Sequence, residues 1–400
     1  MSASTPAAPV SPVPSRPTVL WQLGFRPFFL LAGAYASLSI ALWGARYAGW
    51  LPGYGAIGAA WHAHEMLFGF TVAVLTGFLF TAVRNWTALP TPNGGWLMAF
   101  AALWIAGRVA VLTPFTGVSM VLNTAFPIAA AVGIAVPLVR SGNRRNYFFV
   151  GLLAVIAIAV LGVHLVPLLD RQLPARIGIR TALDAMLVIL AVMGGRVIPM
   201  FTANGIPGTT PRRHPVVERT AIGALIALAI VDVLPLEGTP LVALTVATLG
   251  LAAAGHVVRW WLWQPYRTGR VPLVWVLHAA YAWIPIHLLL RVAGDLGVLA
   301  APLATHALTA GAIGGLTIGM MTRTSKGHTG RPLLADAADT VCYLLVLGAA
   351  VVRVFGPLLF PGAYVECVLI AAAGWSAGFG LFTLRYVGPL TRPRVDGKPG

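Results

Sequence analysis

Charge is scarce in this sequence. Asp, Glu, Lys and Arg together make up 10% of its 400 residues, while 58% are hydrophobic. No soluble globular domain of this length has that balance, so the solvent for most of the chain is lipid. Acids are scarcer still, 11 against 27 Lys and Arg, for a net charge of +16. In a soluble protein that excess would point to nucleic acid, but here the cations sort by loop, and nucleic acid is excluded as a partner. Cysteine is nearly absent. Cys342 and Cys367 lie in different apolar runs without CxxC spacing, which excludes a disulfide framework and a thiolate metal site, and without CxxCH there is no covalently attached haem. There is no nucleotide-binding glycine loop. Residues 1–15 are rich in Pro, Ala and Ser and have no apolar core of a signal peptide, so residues 1–20 are expected to be a disordered cytoplasmic tail.

What is present is a series of long apolar runs. A helix needs about 20 mostly apolar residues to cross a bilayer. Such runs fall at about 27–49, 60–83, 95–112, 118–139, 147–168, 181–200, 216–236, 240–263, 273–293, 297–320, 337–357 and 362–386. The fold class is therefore all-α, a polytopic membrane protein of about twelve transmembrane helices over residues 21–390, with a basic tail at 391–400. Alternate loops hold Arg140, Arg144 and Arg145; Arg212, Arg213 and Arg219; Arg267 and Arg270; and Arg323, Lys326 and Arg331. The opposite loops are poor in cations except for Arg171, Arg176 and Arg180. The positive-inside rule then places both termini in the cytoplasm.

Spans two, six and ten overlay. Gly77, Gly194 and Gly319 align, and thirteen residues later so do Pro90, Pro207 and Pro332. His64 overlays His306, Gly69 overlays Gly311, Arg84 overlays Lys326 and Thr87 overlays Thr329. The next helix ends each time in a similar stretch, Arg108 to Pro114, Asp232 to Pro235 and Arg353 to Pro357. Three repeats of four helices are expected, with the glycines allowing close helix approach.

Of nine histidines, His214 and His328 fall in cationic loops and are set aside. The other seven lie within or at the ends of spans, where a polar side chain is costly and by default marks function. His62, His64, His164, His287 and His306 share the outer leaflet on four helices; His256 and His278 lie toward the cytoplasmic side. Neutral imidazole suits haem iron and copper. Within WHAHEMLFGF, His64 points about 200° away from His62, which shares a face with Glu65; Glu65 is a candidate orienting acceptor for a ligating ring. Arg291 is a candidate partner for a haem carboxylate, although Asp295 four residues on offers a plain helical ion pair. Arg108 and Arg196 lie within spans and need partners that the sequence does not name. His64 and His306 are expected to face one another across a macrocycle, leaving His62, His164 and His287 for a three-imidazole copper site or a haem-adjacent pair. His256 and His278 hold a second metal or hydrogen-bond to hydroxyls such as that of Tyr281.

LGFRPFFLLA at Leu23 to Ala32, WHAHEMLFGF at Trp61 to Phe70, GRVIPMFTANG at Gly195 to Gly205, and HALTAGAIGG with MTRTSKGHTGRP between His306 and Pro332 together resemble the NnrS family over nearly the whole chain. The resemblance implies a bacterial inner-membrane protein with noncovalent haem, expected to be b-type, and copper, protecting against nitric oxide. Nitric oxide is then the implied ligand, quinol or a redox partner the electron source, and turnover of nitric oxide by an oxidoreductase stays open. The competing reading is a transporter of a small solute or metal, since Gly- and Pro-broken helices also build midplane paths.

Overall fold

The computed structural model describes residues 19–53, 55–168, 176–234 and 239–398. Most of the N-terminal tail, Arg171 and Pro235 lie outside them. The described chain forms twelve long helical segments: α1 Phe25–Tyr47, α2 Ala59–Thr87, α3 Gly94–Ala110, α4 Thr116–Arg140, α5 Phe148–Leu168, α6 Arg176–Gly205, α7 Pro215–Val233, α8 Thr239–Leu262, α9 Pro272–Asp295, α10 Ala301–His328, α11 Ala337–Leu359 and α12 Tyr364–Thr391. Helix is the form that satisfies every backbone N–H and C=O within one segment, which lipid requires. Ten segments are long and apolar enough to cross a membrane. The two exceptions are α3, with 17 residues, and α7, which carries Glu218, Arg219 and Asp232. The chain is thus a multi-pass membrane protein, with ten clear crossings where the sequence suggests twelve.

Helix ends follow local chemistry. Pro215 and Pro272 open α7 and α9, where a missing N–H costs nothing. Asp336 and Asp339 form a reciprocal capping box at the start of α11. Neighbours in sequence pack side by side along most of the chain, and α12 returns against α1. The enclosed helices are α2 and α10: 83% and 72% of their crossing stretches lie inside the bundle, against 33% for α5 and α8.

Those two helices share a distortion. In α2 an α-helical turn ending at His64 opens into a π-helical segment, Glu65–Thr71, before α-helix resumes; in α10 the same change follows His306, over Ala307–Gly314. Such wide turns concentrate at functional sites. The Thr71 hydroxyl donates to the Met66 carbonyl five residues back at 2.7 Å, and the Trp104 indole donates to the Gly69 carbonyl at 2.9 Å. Glycine at 69 and 311 leaves room for neighbours: a Cβ at Gly69 would strike Arg108, and one at Gly311 the Trp283 ring. The aligned glycines also sit at close approaches, where a Cβ would lie 2.8 Å from Phe28 at Gly77, 2.9 Å from Tyr281 at Gly194 and 2.8 Å from Leu277 at Gly319. α2 and α10 thus share a π segment directly after a histidine, whereas α6 is α-helical throughout.

The C-terminal tail is docked over its described length. The Arg394 guanidinium donates to the His328 carbonyl at 3.0 Å and the Val395 amide to the Thr329 carbonyl at 3.1 Å. The tail and the α10–α11 loop accordingly share one face. Reporter fusions after Pro52 and after Arg213 are expected in opposite compartments; one compartment for both would refute the crossing order of the first six helices.

Candidate haem and copper site

His64 and His62 leave α2 in different directions, and each meets a different partner. His64 is buried and its Nδ1 lies 2.6 Å from Glu65 Oε1, while its Nε2 lies 3.0 Å from Nε2 of His164 on α5. Glu65, wholly buried, also accepts from Arg108 Nη1 at 2.9 Å and from the Tyr35 hydroxyl. Asn123 on α4 accepts from the other arm of Arg108 and is itself fixed by donating to the Ser119 carbonyl at 2.8 Å. Glu65 therefore orients His64, not the His62 with which it shares a helical face: the adjacent carboxylate reaches across as the backbone widens into the π turn. The intramembrane Arg108 has a counter-ion.

His62 instead faces His306. The two rings are 9° from parallel with centroids 6.2 Å apart, and Trp43 stacks on His62 at 4.4 Å. Both histidines open into a cavity of about 140 Å³ between α1, α2, α10, α11 and α12, walled by side chains such as Phe70, Ile313 and Trp375. A single water needs about 10–15 Å³, so this volume is more than a packing defect. His306 Nδ1 lies 2.7 Å from the Pro302 carbonyl, leaving Nε2 for another partner, and His62 Nδ1 is buried without one. Arg353 of α11 lines the same cavity.

The structure places His306 beside His62 and His64 beside His164, where register alone pairs His64 with His306. Equivalent positions put both histidines at the entrance of a π turn, but side-chain direction pairs His306 with His62 and His64 with His164. His287 stands apart from both pairs, its Nδ1 2.7 Å from the Ala304 carbonyl. Among the described residues no three of His, Cys, Asp and Glu converge on one point, so His62, His164 and His287 do not assemble a three-imidazole set. Arg291 is engaged elsewhere: it lies 2.5 Å from Asp232 and 3.8 Å from both Asp184 and Asp295, and Arg180 approaches Asp232 at 3.1 Å. The sequence offered Asp295 and missed Asp232, which comes from another helix.

His256 and His278 each meet a hydroxyl. His256 Nδ1 is 2.6 Å from the Tyr281 oxygen, and His278 Nε2 is 2.8 Å from Thr202 Oγ1. Around them lies a network the sequence did not announce. Arg259 pairs with both oxygens of Glu218 at 2.9 and 2.6 Å, and donates to the Ala191 carbonyl at 2.7 Å and to Tyr281 at 2.8 Å. Gly195 makes room for that guanidinium. Arg196 donates to Asn146 at 2.7 Å and lies over Phe148 and Phe149. Because the Tyr281 oxygen serves both His256 and Arg259, Tyr281→Phe is expected to cost about 1–3 kcal/mol, the penalty for stranding buried polar groups. The loss is measured by denaturant unfolding in detergent.

The match to known proteins is to the family described as NnrS protein, across residues 19–394. The chain belongs to the NnrS family. No curated protein matches it. The NnrS match takes in the π turns, both histidine pairs and Arg353.

Proposed function

We propose that this NnrS protein is a haem- and copper-dependent membrane protein of the nitric oxide response, with haem held in the cavity between His62 and His306 and copper held by His64 and His164. The observation behind it is the facing, near-parallel imidazole pair across an apolar cavity. His62 and His306, whose near-parallel rings lie 6.2 Å apart beside the cavity, would hold the haem. When bound, haem would supply a redox-active iron able to exchange electrons and to bind nitric oxide.

The chain's own residues prepare both sites. His306, tied through Nδ1 to the Pro302 carbonyl, keeps its Nε2 lone pair for metal, the arrangement by which ligating histidines are oriented. Trp43 holds the plane of His62, and the walls are mostly apolar. Glu65 accepts a hydrogen bond from His64 Nδ1–H and so turns Nε2 toward His164. His64 and His164, with their Nε2 atoms 3.0 Å apart, would hold the copper, a metal that imidazole suits. Loop cations support an inner-membrane setting with both termini cytoplasmic, and without a nucleotide-binding loop the electrons would come from quinol or a redox partner. The test is the visible spectrum of protein purified from cells supplied with haem. A Soret band with split bis-imidazole bands supports the reading, and a colourless, metal-free preparation refutes it.

A further inference from the structure

Arg353 stands where a carboxylate is missing. The helices that follow α2 and α10, α3 and α11, each place a buried arginine near a π turn, Arg108 and Arg353. Arg108 meets Glu65, the residue after His64. The residue after His306 is Ala307. Arg353 is 9% exposed, its Nη1 is buried without a hydrogen-bond partner, and its Nη2 reaches the Tyr364 hydroxyl at a long 3.5 Å. None of the side chains that line its cavity is acidic. Arg108, Arg259 and Arg291, by contrast, all meet carboxylates.

A buried guanidinium without a counter-ion is costly, and the cost falls when an anion arrives. The planar fork of donors matches a carboxylate or another small planar oxyanion. Apolar walls strengthen the attraction by keeping water away. We propose that Arg353 is an anion subsite of the His62–His306 cavity, taking one carboxylate or small planar oxyanion beside the imidazole pair. The proposal deepens the haem reading, because a carboxylate of bound haem is one source of such an anion and a free ion is the other.

The test uses the full chain in detergent, prepared with and without haem, and titrated calorimetrically with sodium nitrite and sodium formate at constant ionic strength. Haem-free wild type is expected to bind them saturably and Arg353→Gln at least tenfold more weakly, with Arg353→Lys between the two because it keeps the charge but not the fork. If the anion is the haem's own, loaded protein no longer binds nitrite and Arg353→Gln releases haem to apomyoglobin at least tenfold faster. If it is a free ion, loaded protein still binds nitrite and haem retention is unmoved. Wild type that binds neither anion, with haem retention unchanged in Arg353→Gln, overturns the proposal, as does anion binding equal in wild type and Arg353→Gln. Should the glutamine variant fail to fold, the wild-type titration decides alone. Should the protein take up no haem at all, the haem reading fails while the anion titration still upholds or sinks this one.

Discussion

Glu65→Ala is expected to destabilise the protein by about 3–5 kcal/mol, the cost of breaking a buried ion pair from one side. Glu65 is fully buried and accepts from Arg108, His64 and Tyr35. Removing it strands the Arg108 charge among apolar neighbours and leaves two further donors unmatched. Removing both charges is a different matter, since an ion pair replaced by apolar groups of similar volume is often close to neutral. Glu65→Leu combined with Arg108→Met is therefore expected to recover most of the loss, so the two single costs do not add. A second effect accompanies the first: without Glu65 the His64 ring loses its orientation, and loss of such an orienting partner lowers metal affinity by about 10–100-fold. Unfolding in mixed detergent and copper titration of wild type, Glu65→Ala, Glu65→Leu, Arg108→Met and the double variant measure both. A loss under about 1 kcal/mol for Glu65→Ala, or a double variant as unstable as the sum, would contradict the account.

Gly311→Val is expected to be as damaging, for a steric reason. Even a Cβ at this position would fall within the Trp283 ring, and Trp283 is itself packed against Phe355 at 5.7 Å between centroids. Overpacking of a filled core costs about 1–3 kcal/mol when neighbours can yield. A β-branched residue against backbone and a packed indole leaves little room to yield. The π segment that Gly311 belongs to begins at the residue after His306, so the strain also reaches the His62–His306 pair. Loss of folded protein, or folded protein with lowered haem content, is the expected result. Gly348→Ala is the control, because nothing lies within 4 Å of its Cβ position, and it should change stability by no more than about 1 kcal/mol. Equal behaviour of the two variants would show that the close approach at Gly311 is unimportant.

The helices were legible from the sequence because the requirement is one of length and apolarity, and lipid leaves the backbone few alternatives. The π turns were not, since a wide turn has no composition of its own; only the matching His64–Gly69 and His306–Gly311 spacings hinted that α2 and α10 shared something. The separation of His62 from His64 followed from helical angle alone and holds. Which histidine each would meet did not follow, because that depends on how four helices are rotated about their axes. Partners of intramembrane arginines were hidden for the same reason: Glu65 lies 43 positions before Arg108 and Glu218 41 before Arg259. The signal that could have found them is the rarity of acids. With only 11 in the chain, a buried arginine has few candidates, and Glu65 was already singled out. Arg353 went unmarked as a site residue because an arginine near the end of a span reads as an interfacial anchor until the cavity beside it is seen.

In the proposed arrangement His62 and His306, rather than His64 and His306, hold the haem. Haem per polypeptide in purified His62→Ala, His306→Ala and His64→Ala measures it directly. The account expects His62→Ala and His306→Ala to lose haem or its bis-imidazole bands, with His64→Ala keeping both while binding copper more weakly. Full haem content and an unshifted spectrum in His62→Ala, with loss in His64→Ala, would contradict it.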